Sequence, residues 1–381
     1  MQLFKPMVSQ LAIDEVVDTL KSGWTGNGPK VKKVEEKFAE AVGAKYAVAL
    51  NSCSSAIFLT FAALGIEDGD EIIAPSFTFV ATSMMALHLG AKIKFCDINY
   101  DTMTADPKSI EKNITEKTKY IIPVAFGGQA PDIDEILKIA KKHKLIVILD
   151  CAHCAPYHTI YKNKLIGEYS HAVWSCHSVK ILSVGDMGFF TTNDKEVADK
   201  VRRMAWFNIS KSTFERERGE GKSGYTWDYT IVDGPGYKMH SNDISAAIAL
   251  GQLSCLKEQN EYRQKLVNLY KEMLHNNILN GKIKIQTSPE YITQHGNHIF
   301  SIRIDNRDEL MRYLSEREIY CGCHYRPNHH YSEAYGKQEI DLPNTEKTFS
   351  KILSLPLHLD LTEDDVKRVC KFVNEFIEQG V

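Results

Sequence analysis

One lysine stands out by where it falls. Residues 172–174 form a short apolar run and residues 188–192 another, and Lys180 lies in the polar, glycine-bearing segment between them. An amine held between two buried strands is costly to desolvate unless it is paired or used covalently. A primary amine so placed can condense with a carbonyl group as a Schiff base; a plain surface-loop lysine is the ordinary reading of the residue taken alone. Asp150 follows a fully apolar, branched run at 145–149. A carboxylate there either caps the next turn or pairs with a bound cation. A third feature is the turn Asn51-Ser-Cys-Ser-Ser55, between an apolar run at 45–50 and an apolar helical stretch at 56–64. The first N–H groups of a helix point outward and carry its positive dipole end, so this turn is either an anion site or a simple serine cap. A carbonyl, a cationic ring and a phosphate are what these three features would hold, and pyridoxal phosphate carries all three.

Other reactive clusters are less specific. His324-Tyr-Arg-Pro-Asn-His-His330 packs a cation, an aromatic and several imidazoles into one stretch. The fork of Arg326 suits a carboxylate or a diphosphate, and a solvated polar loop has the same composition. Cys151, His153 and Cys154, with Cys321, Cys323 and His324, raise the question of zinc, but the spacing matches no standard zinc pattern, so no metal is expected. Residues 207–235 are polar and long for a loop; Lys211, Arg216 and Arg218 within them could reach a diphosphate, although interleaved acidic residues suit a solvated loop equally.

The elements that must position these residues follow from periodicity. Strands are predicted at 45–50, 70–74, 92–96, 120–124 and 145–149, and helices at 56–64, 80–89, 133–143 and from 194 to about 206. Two helices between 10 and 43 are split by the glycine-rich segment 23–29, and residues 157–167 read as a hairpin. Continuous branched runs alternating with amphipathic helices argue for an α/β fold with a mostly parallel sheet covered on both faces. Ligands in such sheets sit at the carboxyl ends of the strands, where Asp150 lies. Helical periodicity returns from 242 to 256 and again to 275. The remainder mixes strands at 298–304 and 319–325 with helices at 308–316 and 362–379, as in a smaller α+β domain. The division expected is 1–255 for the large domain, with its N-terminal helices, and 256–381 for the small C-terminal one.

Composition narrows the function classes. The 381 residues can bury a large core, and the net charge of −3 gives no reason to expect a nucleic-acid or anionic-membrane partner. No apolar run approaches a membrane span, and the N-terminus lacks a secretion pattern. Nine cysteines, scattered through apparent core segments, fit reduced thiols in a cytoplasmic compartment.

Taken in order, several motifs resemble those of the DegT/DnrJ/EryC1/StrS family of sugar aminotransferases. They are Asn51-Ser-Cys-Ser-Ser-Ala56, Pro75-Ser-Phe-Thr-Phe-Val-Ala-Thr82, Asp150-Cys-Ala-His153, and Ser175-Cys-His-Ser-Val-Lys180 with Gly185-Asp-Met-Gly188. Gly236-Tyr-Lys-Met-His-Ser-Asn-Asp-Ile244 and Leu353-Ser-Leu-Pro are weaker matches, and the likeness runs over nearly the whole chain. The resemblance implies the pyridoxal-phosphate fold type I, with a mostly parallel seven-stranded sheet, and a homodimer with shared sites. It implies Lys180 as the Schiff-base lysine, Asp150 on the pyridinium nitrogen, Phe79 stacked on the ring and His153 near the ring hydroxyl. The N–H groups of Cys53 and Ser54 and the Ser175 hydroxyl would hold the phosphate. The 238–240 segment of a neighbouring subunit would reach it through Lys238 and His240. Near the substrate it implies His324, Tyr325, Arg326 and His329. Gln is commoner than His at 153, and Gly-Thr is commoner than Cys-Ser at 53–54, which affects the detailed hydrogen bonding. The implied activity is transfer of an amino group from glutamate to a nucleotide-linked 4-keto-6-deoxysugar, by ping-pong kinetics. The alternatives are the same chemistry on a 3-keto sugar nucleotide, a sugar dehydratase, and a regulatory or binding relative. A dehydratase would have histidine in place of Lys180, and a regulatory relative would lack the lysine or the aspartate.

Overall fold

The structure is a computed structural model and describes residues 1–210, 229–338 and 340–379. In chain order its first strands are β1 (Tyr46–Leu50), β2 (Glu71–Pro75), β3 (Lys92–Cys96), β4 (Thr118–Ile121), β5 (Ile146–Asp150), β6 (Ile160–Tyr161), β7 (Lys164–Leu165), β8 (His171–Ser175) and β9 (Gly188–Thr192). Seven of them form one sheet in the order β1-β9-β8-β5-β4-β2-β3. Strand β9 is antiparallel to both its neighbours, while β8, β5, β4, β2 and β3 pair in parallel. The period-2 alternation of a strand sends its side chains to both faces. In β1, Ala47 and Ala49 join an apolar cluster with Val34 and Phe38 of helix Pro29–Val42 and Ile136 of helix Ile133–His143, while Val48 and Leu50 join one with Ile57 and Phe61 of helix Cys53–Ala63. Both faces are therefore buried, as an α/β sheet rich in branched residues requires.

A second core, around Leu266, Tyr270, Ile302 and Val369, is built on the antiparallel sheet β10-β12-β13 (Lys284–Ile285, Phe300–Arg303, Ile352–Leu355), with helices Arg307–Ser315 and Glu363–Gln379. β11 (Ile292–Gln294) instead extends the β6–β7 hairpin. The extreme N-terminus belongs to this second body: the N–H groups of Tyr320 and Leu357 donate to the carbonyls of Met1 and Leu3. Two expectations need correction. Residues 319–325 form no strand; a single bridge, Gly322 to Ser354, replaces it. The helical signals after 242 are one helix, Asp243–Met273, which runs unbroken through position 255 and reaches both cores, because no glycine or proline falls between 252 and 273 to stop it. Among the described residues no helix is long and apolar enough to cross a membrane.

Candidate active site

The carboxyl ends of β5 and β8 and the start of helix Cys53–Ala63 meet in one place, and three local structures build the site there. The first is the turn after β1. Ser52 caps the helix, its side chain accepting from the N–H of Ser55 at 3.0 Å. The helix therefore starts three residues earlier than its apolar run, at Cys53. The N–H groups of Cys53 and Ser54 fall in the first turn, where no helical acceptor exists, and among the described residues none takes them. Gly188, at the start of β9, makes this approach possible: a Cβ there would lie 2.4 Å from the Cys53 nitrogen and 2.5 Å from the Ser52 carbonyl carbon. Ser175 pairs with Gly188 across β8 and β9, and its Oγ accepts from the His177 N–H at 3.3 Å.

The second structure is the hairpin that carries Lys180. Its base is closed by the Cys176 N–H on the Met187 carbonyl and the Val184 N–H on the Cys176 carbonyl, and the Lys180 N–H itself donates to His177 at 2.8 Å. Burial pulls the Lys180 amine down to about 8, although Asp150 and Cys53 pull the other way. The third is the end of β5. Asp150 is buried, and its carboxylate accepts from Thr82 Oγ1 at 2.7 Å and from the Ala152 N–H at 3.0 Å. Burial raises its pKa, outweighing these bonds and the attraction of Lys180. Desolvation thus wins on both members of the Asp150–Lys180 pair, and each charge lacks the solvation it had in water.

Around this pair lies an aromatic and imidazole layer. His153 Nδ1 accepts from the Gly127 N–H at 3.1 Å. Its proton is therefore on Nε2, which donates to Tyr325 Oη at 3.0 Å. Burial holds His153 far below the usual imidazole range, so it stays neutral. His324 is pushed down to about 4 by burial and by Lys180, and its Nδ1 meets Ser354 Oγ at 2.9 Å. Phe79 is 56% exposed, whereas Phe77 is buried at 1%. An aromatic left open on a loop whose neighbours are buried is a ready stacking face, and its centroid lies 5.9 Å from that of Tyr325.

Not every residue marked in the sequence falls here. Arg326 is exposed and lies over the Tyr331 ring at 5.0 Å. His329 is engaged elsewhere: Nδ1 meets Ser76 Oγ at 2.7 Å and Nε2 meets Glu346 at 2.9 Å. Lys238 rests over the Trp206 ring at 3.7 Å and donates to His240 Nε2 at 2.8 Å, on a segment bridged to Leu50. In the same chain this segment runs beside the turn, the Asn51 N–H donating to the Met239 carbonyl at 2.8 Å, but among the described residues neither Lys238 nor His240 hydrogen-bonds to Cys53 or Ser54. Lys211, Arg216 and Arg218 lie outside the described residues. Among the described residues, one group of metal-ligand atoms converges, His329, His330 and Glu346; the cysteines at 151, 154, 321 and 323 form no such group.

Several members of the site were not singled out by type and spacing. Thr82 was visible only as the end of the Pro75–Thr82 motif, and Gly127 left no signal, since its part is played by a backbone N–H. Pyridoxal phosphate fits what is present. A buried carboxylate with a raised pKa suits a cationic ring nitrogen, the unpaired N–H groups at a helix start suit a phosphate, and a desolvated amine suits a carbonyl carbon.

Comparison with known proteins agrees. Residues 6–374 match the model of the DegT/DnrJ/EryC1/StrS aminotransferase family. The chain is 36% identical to the spore coat polysaccharide biosynthesis protein SpsC of Bacillus subtilis, over 98% of this chain and 96% of the relative. It is 35% identical to the UDP-4-amino-4-deoxy-L-arabinose–oxoglutarate aminotransferase of Shewanella sediminis, over 98% and 97%. Among solved structures it is similar to the putative sugar aminotransferase Spr1654 of Streptococcus pneumoniae in its PMP form, with a TM-score of 0.91, 26% identity and 100% of both chains covered. With its sheet, its lysine hairpin and its motifs in register over nearly the whole length, this chain belongs to the DegT/DnrJ/EryC1/StrS aminotransferase family.

Proposed function

We propose that the chain is a pyridoxal-phosphate enzyme that moves an amino group from glutamate to a nucleotide-linked 4-keto-6-deoxysugar, as a cytoplasmic homodimer with shared sites. The observation that carries the reading is the desolvated Lys180 amine, down at about 8, beside the buried Asp150. The name of the Shewanella sediminis relative supports a 4-amino sugar nucleotide and the glutamate–oxoglutarate pair. The 3-keto sugar nucleotide stands second, because nothing in the site distinguishes ring carbons. The presence of both Lys180 and Asp150 speaks against the dehydratase and the regulatory reading.

When bound, the cofactor supplies a carbonyl carbon and an electron sink. Asp150 keeps the ring nitrogen protonated, because an adjacent carboxylate favours the cationic form. Thr82 and the Ala152 N–H hold that carboxylate in place. The Cys53 and Ser54 N–H groups, with the Ser175 hydroxyl, take the phosphate, and the 238–240 segment of a second subunit completes the cradle. Phe79, left exposed, would stack on the ring. Lys180 would hold the cofactor's carbonyl carbon and, as a free amine, would be the group that accepts and returns the donor's proton; its lowered pKa leaves enough free amine near neutral pH to do so. His153, neutral and fixed by Gly127, stays a hydrogen-bond donor through Nε2 and does not compete as a base. His324 and Tyr325 border the sugar, and Arg326 lies at the exposed edge, where a diphosphate would sit.

The test is a panel of nucleotide-linked 3-keto and 4-keto sugars with glutamate, read by product mass and NMR. An amino group at C-4 and stoichiometric oxoglutarate are expected. Product aminated at C-3 alone would move the reading to its alternative, and no aminated sugar with any substrate would reject it.

A further inference from the structure

The short turn Asn328–His330 carries two consecutive imidazoles, and helix Pro343–Lys351 carries Glu346 in its first turn. Both elements are fixed from behind. Asn328 is fully buried; its N–H donates to the Ser76 carbonyl at 2.8 Å and its side-chain amide to Ser83 Oγ at 3.1 Å. The helix is held at its start by Asp97, just after β3. That carboxylate accepts from the N–H groups of Asn344 and Thr345 at 3.0 and 2.8 Å and from Thr345 Oγ1 at 2.7 Å.

These two anchors bring three ligand atoms to one spot. His329 Nε2 lies 2.9 Å from Glu346 Oε1, and His330 Nε2 lies 2.7 Å from the same oxygen. All three atoms are within 4.8 Å of one another, and the two imidazole centroids are 4.5 Å apart at 72°. Around a tetrahedral zinc ion, ligand atoms at about 2.0–2.2 Å from the metal stand about 3.3–3.5 Å from each other. Each pair here therefore has to open by only about half an ångström to admit one. His329 is the fixed member, with its side chain 11% exposed and its Nδ1 2.7 Å from Ser76 Oγ. Glu346, 46% exposed, is the one free to move. A hydroxyl accepts as well as donates, so Ser76 can take an N–H from Nδ1 when Nε2 turns its lone pair to a metal. Metal-binding histidines characteristically have such a partner on the other ring nitrogen.

We propose that His329, His330 and Glu346 form a binding site for a divalent transition-type ion, Zn²⁺ foremost, with water completing its shell. Two imidazoles and one carboxylate suit zinc and its neighbours, whereas Mg²⁺ and Ca²⁺ take shells of oxygen. Among the described residues no further His, Cys or carboxylate atom joins the group, which leaves the remaining position to water. The ion ties the 328–330 turn to helix Pro343–Lys351 and, through Ser76, to the loop that leads to Phe79. It uses none of the residues of the cofactor cradle, so it goes beyond the aminotransferase reading and does not depend on it.

The experiment is equilibrium dialysis of the full-length, metal-stripped protein against Zn²⁺, with bound metal counted by atomic emission and circular dichroism showing that each variant is folded. Wild type is expected to hold one ion per chain, at micromolar affinity or tighter, and to keep it against an about 100-fold excess of Mg²⁺. Glu346→Gln and His330→Gln, both on the open side of the site, each lose a ligand and should weaken binding roughly 100-fold or more. Ser76→Ala, which removes only the bond behind His329, should weaken it about 10-fold. A wild type that binds no zinc, or holds it only at millimolar concentration, would overturn the proposal. So would equal affinity in wild type and both ligand variants, which puts the ion on the cysteines instead. A normal cofactor band in a protein that binds no zinc sinks this inference and leaves the aminotransferase reading; zinc bound at this site by a protein that shows no band does the opposite.

Discussion

The depressed Lys180 amine sets the pH at which the enzyme can take up its cofactor. An ordinary lysine amine has a pKa of 10.5, and that of Lys180 is brought to about 8 by burial. The gap corresponds to about 3.4 kcal/mol of differential solvation between the charged and neutral forms. At pH 7.5 about one amine in four is then neutral, against about one in a thousand for an unperturbed lysine. Only the neutral amine attacks a carbonyl, so the rate of cofactor capture by the apoenzyme should rise with pH and level off above a midpoint near 8. Asp150 opposes the depression, so Asp150→Asn should move the midpoint lower still, even as it weakens retention of the cofactor. Stopped-flow absorbance with apoenzyme and pyridoxal phosphate, between about pH 6 and 10, reads both midpoints. A wild-type midpoint at about 10 or above would refute the desolvation argument. A midpoint that rises in Asp150→Asn would refute the assigned role of that carboxylate.

Two further substitutions test the cradle and the carboxylate. Gly188→Ala places a Cβ 2.4 Å from the Cys53 nitrogen, and since the obstacle is backbone the helix start must shift by roughly 1 Å. An overpacking cost of about 1–3 kcal/mol should appear as cofactor affinity reduced roughly 10- to 100-fold in a visible titration; unchanged affinity would mean that the Cys53–Ser54 turn holds no phosphate. Thr82→Val removes the 2.7 Å bond to Asp150 and raises its carboxyl further. Cofactor binding needs the ionised carboxylate and is lost as pH falls through that raised pKa. The loss should therefore set in at a higher pH in Thr82→Val than in wild type, with Thr82→Ser restoring it, and superimposable pH profiles would count against the bond.

The strands of the large sheet were legible because each is built on a short apolar run bounded by polar or turn residues, and helix Ile133–His143 was legible to the residue. It has the Asp132 cap, acidic residues in its first turn and Lys141, Lys142 and His143 in its last. Residues 319–325 read as a strand, yet they meet the free edge of β13 at one point, where Gly322 and Ser354 exchange both backbone bonds, while the Tyr320 N–H goes to the Met1 carbonyl instead. The continuity of helix Asp243–Met273 was hidden by the polar stretch around Lys257 to Gln264, which reads as a break in an apolar pattern; on the helix it carries Asn260 and Arg263 on the buried side. Within the site, Lys180, Asp150 and the Cys53–Ser54 turn were marked by residue type at the ends of apolar runs. The orientation of His153 was not, since it is set by the N–H of Gly127 from a distant turn.

The most direct measurement of the central claim is covalent. Borohydride reduction of the cofactor-loaded protein, followed by proteolysis and mass spectrometry, fixes the cofactor to the amine that holds it. The account predicts one modified lysine, Lys180, and no visible band in Lys180→Ala. Modification of a different lysine, or a band that persists in Lys180→Ala, would contradict it.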